Sequence, residues 1–273
     1  PKKHNLKVVA GSQYETYRNV NKDTSMTNLS NDNLDSFSAV TPESVLTVSQ
    51  DISAYKTLGF FGRINYDYMG KYLLEVSCRA DGSSRLHPNH RWGVFPSFSA
   101  AWRLSSEEFM KDIKWLKNLK YKLSWGVLGN QDFITSPVVA GYYPYEDLYQ
   151  INNLNDNYTF SFVYKGNPDL TWERSSTINT GIEFDIAGIL EGEVEYFHKK
   201  TTDMLFMKQV APSLGYGSID ENVGALKNTG IEMVLNGTII NQNGWVWKLG
   251  MNLTHYKNKV TDLPLKDMPR SGV

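Results

Sequence analysis

A single cysteine, Cys78, stands in the 273 residues. Neither an intrachain disulfide nor a CxxC metal cluster can therefore form within them, and the lone thiol reads as an ordinary strand residue. Long hydrophobic runs are missing too. No stretch reaches the roughly 18 apolar residues of a transmembrane helix, and no secretory leader opens the sequence. Charge of one sign is also lacking, because Lys and Arg total 28 against 29 Asp and Glu, a net charge of -1 with the basic residues scattered. That removes the basic stripe needed to follow a phosphate backbone and excludes nucleic acid as a partner. HExxH, GxSxG, Walker and GxGxxG signatures are all absent, so neither enzymatic chemistry nor a cofactor is expected.

What is present is aromatic. Phe, Trp and Tyr make up 13% of the chain, with Tyr the most numerous at 16, yet the mean hydropathy is -0.41. A wall that meets lipid on alternate residues and water on the others averages to this polar composition while reserving Tyr and Trp for two interfaces. The sequence opens on Pro1-Lys2-Lys3-His4-Asn5-Leu6 without an initiator Met and closes on the loop-like Pro269-Arg270-Ser271-Gly272-Val273. An internal piece of a longer protein is expected from this.

Period-two alternation dominates, in segments of barrel-strand length. Leu119, Tyr121, Leu123, Trp125 and Val127 fall on one face, against Lys120, Lys122, Ser124 and Gly126. Trp245, Trp247, Leu249, Met251 and Leu253 alternate with Val246, Lys248, Gly250, Asn252 and Thr254. The pattern recurs at 72–79, 182–186, 193–196 and 231–236, giving about nine strands in all. Short turns are expected at 68–71, 187–192 and 241–244, and long polar connections after Arg79, Gly129 and Thr202. Short turns at one end and long loops at the other describe an outer-membrane barrel. Ser105-Ser106-Glu107-Glu108 ahead of Phe109, Met110, Ile113, Trp115 and Leu116 predicts one short, capped amphipathic helix at the periplasmic rim.

The fold class is thus all-β, part of a large antiparallel transmembrane barrel. Alternation by itself also suits a soluble β-sandwich with its apolar face inside, so a soluble sugar-binding domain or surface adhesin is the competing reading. A passive porin is the third. Chemistry-bearing groups are few. His87 and His90 share a loop but lack a third metal ligand, and Glu193 and Glu195 fit the alternation of a water-facing wall better than a glycosidase pair. Asp81-Gly82-Ser83-Ser84-Arg85 reads as a tight turn opening a long extracellular loop.

The stretches Arg79-Ala80-Asp81-Gly82-Ser83-Ser84-Arg85, Arg91-Trp92-Gly93-Val94-Phe95-Pro96-Ser97 and Ala101-Trp102-Arg103-Leu104-Ser105 resemble the barrel signature of the SusC/RagA family. Later blocks agree in order: 119–131 ending Gly129-Asn130-Gln131, then 167–173, 199–205, Asn222-Val223-Gly224 with 228–232, and Asn258-Lys259-Val260. Ala80 departs where an aromatic is common and His87 where a small residue is common. The resemblance implies a barrel of 22 strands closed by an N-terminal plug, seated in the bacterial outer membrane. It further implies TonB-powered import of an oligosaccharide or peptide with a SusD-like surface lipoprotein as partner. On that reading residues 1–273 belong to the barrel domain, with plug, TonB-box and terminal strands elsewhere. Arg79, Asp81, Arg85, Asn130 and Gln131 are the candidate substrate contacts, each explicable also, and more readily, as a structural loop anchor.

Overall fold

The computed structural model describes residues 3–27, 45–132, 143–154, 157–242 and 244–263. Thirteen strands follow one another along them. The first five are β1 (His4–Thr27), β2 (Val45–Tyr68), β3 (Tyr72–Ser83), β4 (Trp92–Arg103) and β5 (Leu116–Asn130). Next come β6 (Leu148–Leu154), β7 (Asn157–Tyr164), β8 (Glu173–Ile186), β9 (Leu190–Thr202), β10 (Leu205–Gln209), β11 (Ser218–Asn222), β12 (Ala225–Gln242) and β13 (Trp245–Asp262). Nine of these form one antiparallel sheet in the order β1-β2-β3-β4-β5-β8-β9-β12-β13, while β6 with β7 and β10 with β11 make two separate hairpins.

Loop length sorts by end. Short connections join β2 to β3, β8 to β9 and β12 to β13, whereas both hairpins sit in the long connections at the opposite end. In an outer-membrane barrel the short end is periplasmic and the long end extracellular. Two of the short turns share one device. Met69 and Gly70 in one, and Ala187 and Gly188 in the other, all have positive φ. The next N–H bonds back across them, Lys71 to the Tyr68 carbonyl at 3.0 Å and Ile189 to the Ile186 carbonyl at 2.9 Å, the type I′ geometry whose twist matches the flanking strands. In each, an Asp carboxylate accepts from the glycine N–H, Asp67 from Gly70 at 2.6 Å and Asp185 from Gly188 at 2.8 Å. The predicted 241–244 turn includes position 243, outside the described residues.

Register fixes the two faces, since residues paired across antiparallel strands share a side. One row runs Tyr66, Leu74, Ala100, Leu123, Thr180, Tyr196, Ile231 and His255. The row beside it runs Asn65, Glu75, Ser99, Ser124, Asn179, Phe197, Gly230 and Tyr256, on the other face. The first face is apolar and open: Leu123 is 39% and Leu249 59% exposed. The second carries the ion pairs Arg63–Glu75 at 3.6 Å, Lys120–Glu183 at 2.5 Å and Lys122–Glu193. A sandwich would bury its apolar face against a second sheet. Among the described residues the buried large apolar ones are only Leu86, Phe95, Tyr164, Leu170 and Trp172, all gathered toward the extracellular end, so the apolar face is the one that meets lipid.

Aromatics mark the two margins of that face. Tyr68 and Tyr72 stack at 6.2 Å, and Tyr72 and Trp102 at 6.3 Å, near the short turns; Phe60 and Trp92 stack at 6.3 Å near the long loops. Trp92 and Trp102 bracket β4. At a rise of about 3.4 Å per residue and a tilt of about 40°, they stand roughly 26 Å apart along the membrane normal, the height of a barrel's apolar band.

Three sequence expectations change. The helix over 105–116 is instead two single 3-10 turns, Leu104–Ser106 and Glu108–Met110, separated by Glu107 in an extended conformation. Glu107 does not serve as a capping-box acid because its carboxylate accepts from Trp102 Nε1 and Lys71 Nζ, each at 3.0 Å. Asp81-Gly82-Ser83 is the end of β3 and not a turn. Gly82 pairs with both Leu58 and Trp92, and a Cβ there would meet the Trp92 ring at 3.0 Å. Finally, Val127, the last residue of the 119–127 apolar face, packs against the small core rather than standing open like Leu123 and Trp125, while Leu128 is 69% exposed.

Lipid-soluble quenchers should reach spin labels at Leu123 and Leu249 in the reconstituted full-length protein. Leu123→Arg should destabilise it by about 2–4 kcal/mol in urea unfolding, and shielding of both labels would contradict the lipid-facing assignment. At the rim, the hydrogen bond from Tyr72, then those from Trp102 and Lys71, hold the Glu107 carboxyl down to about 2. A folded value below the ordinary one stabilises above the ordinary value and loses that contribution as pH falls through the folded value. Glu107→Gln should therefore be less stable than the parent at pH 7, and the gap should close between about pH 4.5 and pH 2; a gap independent of pH would refute the assignment.

Candidate functional site

Odd-numbered residues of β1 to β4 point to the polar face, and near the extracellular end they line a concavity of about 580 Å³. Its walls include Gln13, Thr57, Ser77, Arg79, Asp81, Ser97, Asn130, Gln131 and Asp132, with Phe95 and Trp172 at its side. Four of the five sequence candidates thus come together here.

Arg79 and Asp81 are two residues apart on one strand, hence side by side on one face. Arg79 Nε lies 2.6 Å from Asp81 Oδ2, its Nη2 donates to Gln13 Oε1 at 3.1 Å, and its guanidinium sits 5.8 Å from the centroid of the Phe61 ring. Gly59, paired with Asp81 across β2, leaves the room this pair occupies, since a Cβ there would collide with both side chains. Arg85, the fifth candidate, does not line the concavity. Its buried guanidinium donates to Asp132 Oδ1 at 2.8 Å and lies 5.4 Å from the Tyr55 ring centroid, so it holds in place an acid that does. Asn130 Oδ1 accepts from the Asp132 N–H at 2.9 Å, closing the turn at the end of β5. Gln131 Oε1 is buried and unpartnered among the described residues, a free acceptor in the wall.

The floor is built from the family-like sequence blocks. Leu86, Phe95, Leu170 and Trp172 form the one hydrophobic core cluster among the described residues, with Val127 and Leu205 against it. Phe95 meets Trp172 edge-on at 5.4 Å, and Trp172 Nε1 donates to the Arg91 carbonyl at 2.9 Å. The Phe95 ring lies against Gly93 and Gly129, where any Cβ would collide with it. Pairing between β4 and β5 stops at Ser97 and Gly126. Pro96, with no N–H to give, stands where the ladder ends.

Side-chain clasps bind the loops above. Asn222 accepts from the Thr171 N–H at 2.7 Å and donates to the Thr171 and Asp203 carbonyls at 3.0 and 2.8 Å. Asn167 donates to the Asp220 carbonyl at 2.8 Å. The Tyr164 hydroxyl donates to the buried Asp220 carboxylate at 2.7 Å; burial raises the pKa of both groups, and for Asp220 the Tyr164 bond works against that rise. Asp147, held low by Lys165 at 2.9 Å, also accepts from the Gly166 N–H. Blocks 167–173, 199–205 and 222–224 therefore recur as structural clasps.

Sequence reasoning missed Gln13 and Asp132. Gln13 lies in the opening segment where little pattern was visible, while Asp132 directly follows Gly129-Asn130-Gln131 and was signalled by that block. His87 meets Tyr145 edge-on at 5.7 Å and His90 contacts the Pro168 carbonyl at 3.1 Å. Among the described residues no three His, Cys, Asp or Glu side chains are grouped to hold a metal. Gly129→Val, which pushes a branched side chain into the Phe95 ring, should destabilise the crown by about 1–3 kcal/mol. It should raise protease cutting in the loops while the barrel's heat-dependent gel shift persists; loops as resistant as the parent's would show the glycine to be dispensable.

Comparison with known proteins agrees with this geometry. Residues 3–272 match the family described as TonB dependent receptor-like, beta-barrel. The TonB-dependent receptor SusC of Bacteroides thetaiotaomicron is 32% identical over 224 residues, covering 77% of this chain and 22% of that protein. A TonB-dependent receptor of Formosa agariphila is 29% identical over 271 residues, covering 99% and 26%. Among solved structures, the RagAB peptide importer in its open-open state superposes with a TM-score of 0.87 at 29% identity, covering all of this chain and 30% of its counterpart. The chain thus spans about a quarter of the length of the curated relatives it matches. With its lipid-facing apolar wall, sorted loops and matching family blocks, the chain belongs to the TonB-dependent receptor-like β-barrel family of the bacterial outer membrane, in its SusC/RagA branch.

Proposed function

We propose that the full-length protein imports an oligosaccharide or peptide nutrient across the outer membrane, with this wall contributing ligand contacts at the extracellular mouth. A SusD-like surface lipoprotein would deliver the ligand, and a plug contacting TonB would couple release to energy. Binding and movement are the whole of the proposed activity, with no covalent step and no cofactor.

The observation that carries the reading is the concavity of about 580 Å³ at the extracellular end of the polar face. It presents the Arg79–Asp81 pair, the Asn130 and Gln131 amides and Asp132 together. Donors and acceptors in alternation suit ligands that carry both, such as peptide backbones or sugar hydroxyls. The description of RagAB as a peptide importer, at 29% identity, supports the peptide alternative.

Calorimetry on the purified full-length protein, alone and with its lipoprotein, against short peptides and oligosaccharides tests this. Arg79→Ala or Asp81→Ala should weaken binding by about tenfold to a hundredfold, as expected for a hydrogen bond to a charged group, with the heat-dependent gel shift retained. Unchanged affinity in both variants would remove the crown concavity from the binding path.

A further inference from the structure

The outer face of β8, β9, β12 and β13 carries a pattern that transport leaves unexplained. Lys227 on β12 stands directly opposite Lys200 on β9 and directly opposite Lys259 on β13. Three lysines therefore occupy one cross-strand row. Two residues lower, His198, Thr229 and Lys257 form the next row on the same face, and His198 Nδ1 lies 3.0 Å from the Thr229 hydroxyl. Below that come Tyr196, Ile231 and His255, followed by Val194, Met233 and Leu253. This is the lipid-facing side, basic at its top and apolar beneath.

Arg174 belongs to the same belt. It is exposed, two residues along β8 from Ser176, the partner of Lys200. The cross-strand rows rise toward the extracellular side on going from β4 to β13. The row of Trp102 starts beside the rim of β4 and reaches Leu253, well up β13 from its turn at Trp245. Stepping back from β13 to β8 at constant height therefore means climbing relative to the row of Lys257, above which Lys227 and Lys200 stand by two residues and Arg174 by four. With Lys259 in the row of Lys227, these cations gather in one belt at the outer margin of the apolar band.

Like charges directly opposite each other in a sheet are destabilising. Among the described residues no ion pair on this face compensates them. The carboxylates of these four strands, Glu183, Asp185, Glu193, Glu195 and Glu232 among them, fall in the alternate rows on the polar face. Among the described residues none of Arg174, Lys200, Lys227, Lys257 and Lys259 makes an ion pair. A multiply charged anion set between neighbouring ammonium groups would convert the repulsion into charge-assisted hydrogen bonds. At this depth on a lipid-facing wall, the anion available is the headgroup of the surrounding leaflet.

We propose that Arg174, Lys200, Lys227, Lys257 and Lys259 form a binding site for the phosphate groups of an outer-leaflet glycolipid. The site rests on the membrane placement argued above and is independent of which nutrient is carried. The apolar rows beneath accept acyl chains, and the lysine stems extend upward along that surface to place their charge at headgroup level.

The test uses the full-length protein in detergent, incubated with lipid A bearing its phosphates, with enzymatically dephosphorylated lipid A, or with inorganic phosphate, and read by native mass spectrometry. The triple variant Lys200→Gln, Lys227→Gln, Lys257→Gln should retain phosphorylated lipid A at least about tenfold less than the parent. The matching triple Lys→Arg variant should retain it as the parent does, and a control removing equal charge from the polar face, Lys7→Gln, Lys199→Gln, Lys248→Gln, should as well. Heat-dependent gel mobility reports folding, and the Lys→Arg variant and polar-face control keep the test decisive if the Gln variant misfolds. Equal retention of dephosphorylated lipid A, loss of retention in the polar-face control, or binding of an acidic protein in place of lipid would each overturn the proposal. A protein that retains lipid A normally but imports nothing would overturn the transport reading alone.

Discussion

Inside a bilayer no water is available to satisfy an unpaired peptide group, and each one left open costs several kcal/mol. The nine-stranded ladder answers that constraint. From β2 through β12 every strand of the main sheet is hydrogen-bonded on both sides. The rest follows from it. Once the backbone is committed to unbroken antiparallel pairing, side chains must alternate, so one face can be given to lipid and the other to water. The strands at the two margins of the sheet, β1 and β13, each keep one side without a partner among the described residues, an edge that a membrane does not tolerate.

The same constraint explains where the ladder is allowed to fail. β4 and β5 part company above Ser97 and Gly126, close to the extracellular margin. There the space is filled by Phe95, Trp172 and Val127 rather than by backbone pairing. Val127 packs there against the small core, and Leu128, Asn130, Gln131 and Asp132 beyond it line the concavity. The candidate site exists because regular pairing ends beneath it.

How much of this the sequence reveals depends on which interaction decides each residue. Alternation made the wall legible at 72–79 and 119–125 because lipid and water act there on successive side chains. It could not show Val127, whose position is set by a tertiary cluster drawn from three distant segments. The Asp-Gly dipeptide misled for a related reason: Gly82 serves to admit the Trp92 ring, and a local turn rule knows nothing of a neighbouring strand. Glu107 spoiled the predicted helix by binding Trp102 and Lys71. The hairpins β6–β7 and β10–β11 escaped notice inside polar loops, being held by clasps such as Tyr164–Asp220 rather than by a hydrophobic period. Arg79, Asp81, Asn130 and Gln131 were found through family-like blocks, and Gln13, lying in a segment without such a block, was reachable only through its contact with Arg79.

The paired turns at Asp67–Gly70 and Asp185–Gly188 bear on the order in which such a wall assembles. They bring together Tyr68 with Tyr72, and Ile186 with Leu190, residues almost adjacent in sequence, whereas the pairs at the far ends of the same strands enclose much longer segments. Loop-closure entropy grows with the length enclosed, so each hairpin is cheapest to close at its periplasmic turn and then to zip toward the loops. Local contacts of this kind favour fast folding. They leave the extracellular crown, with its long-range clasps, as the last part to order.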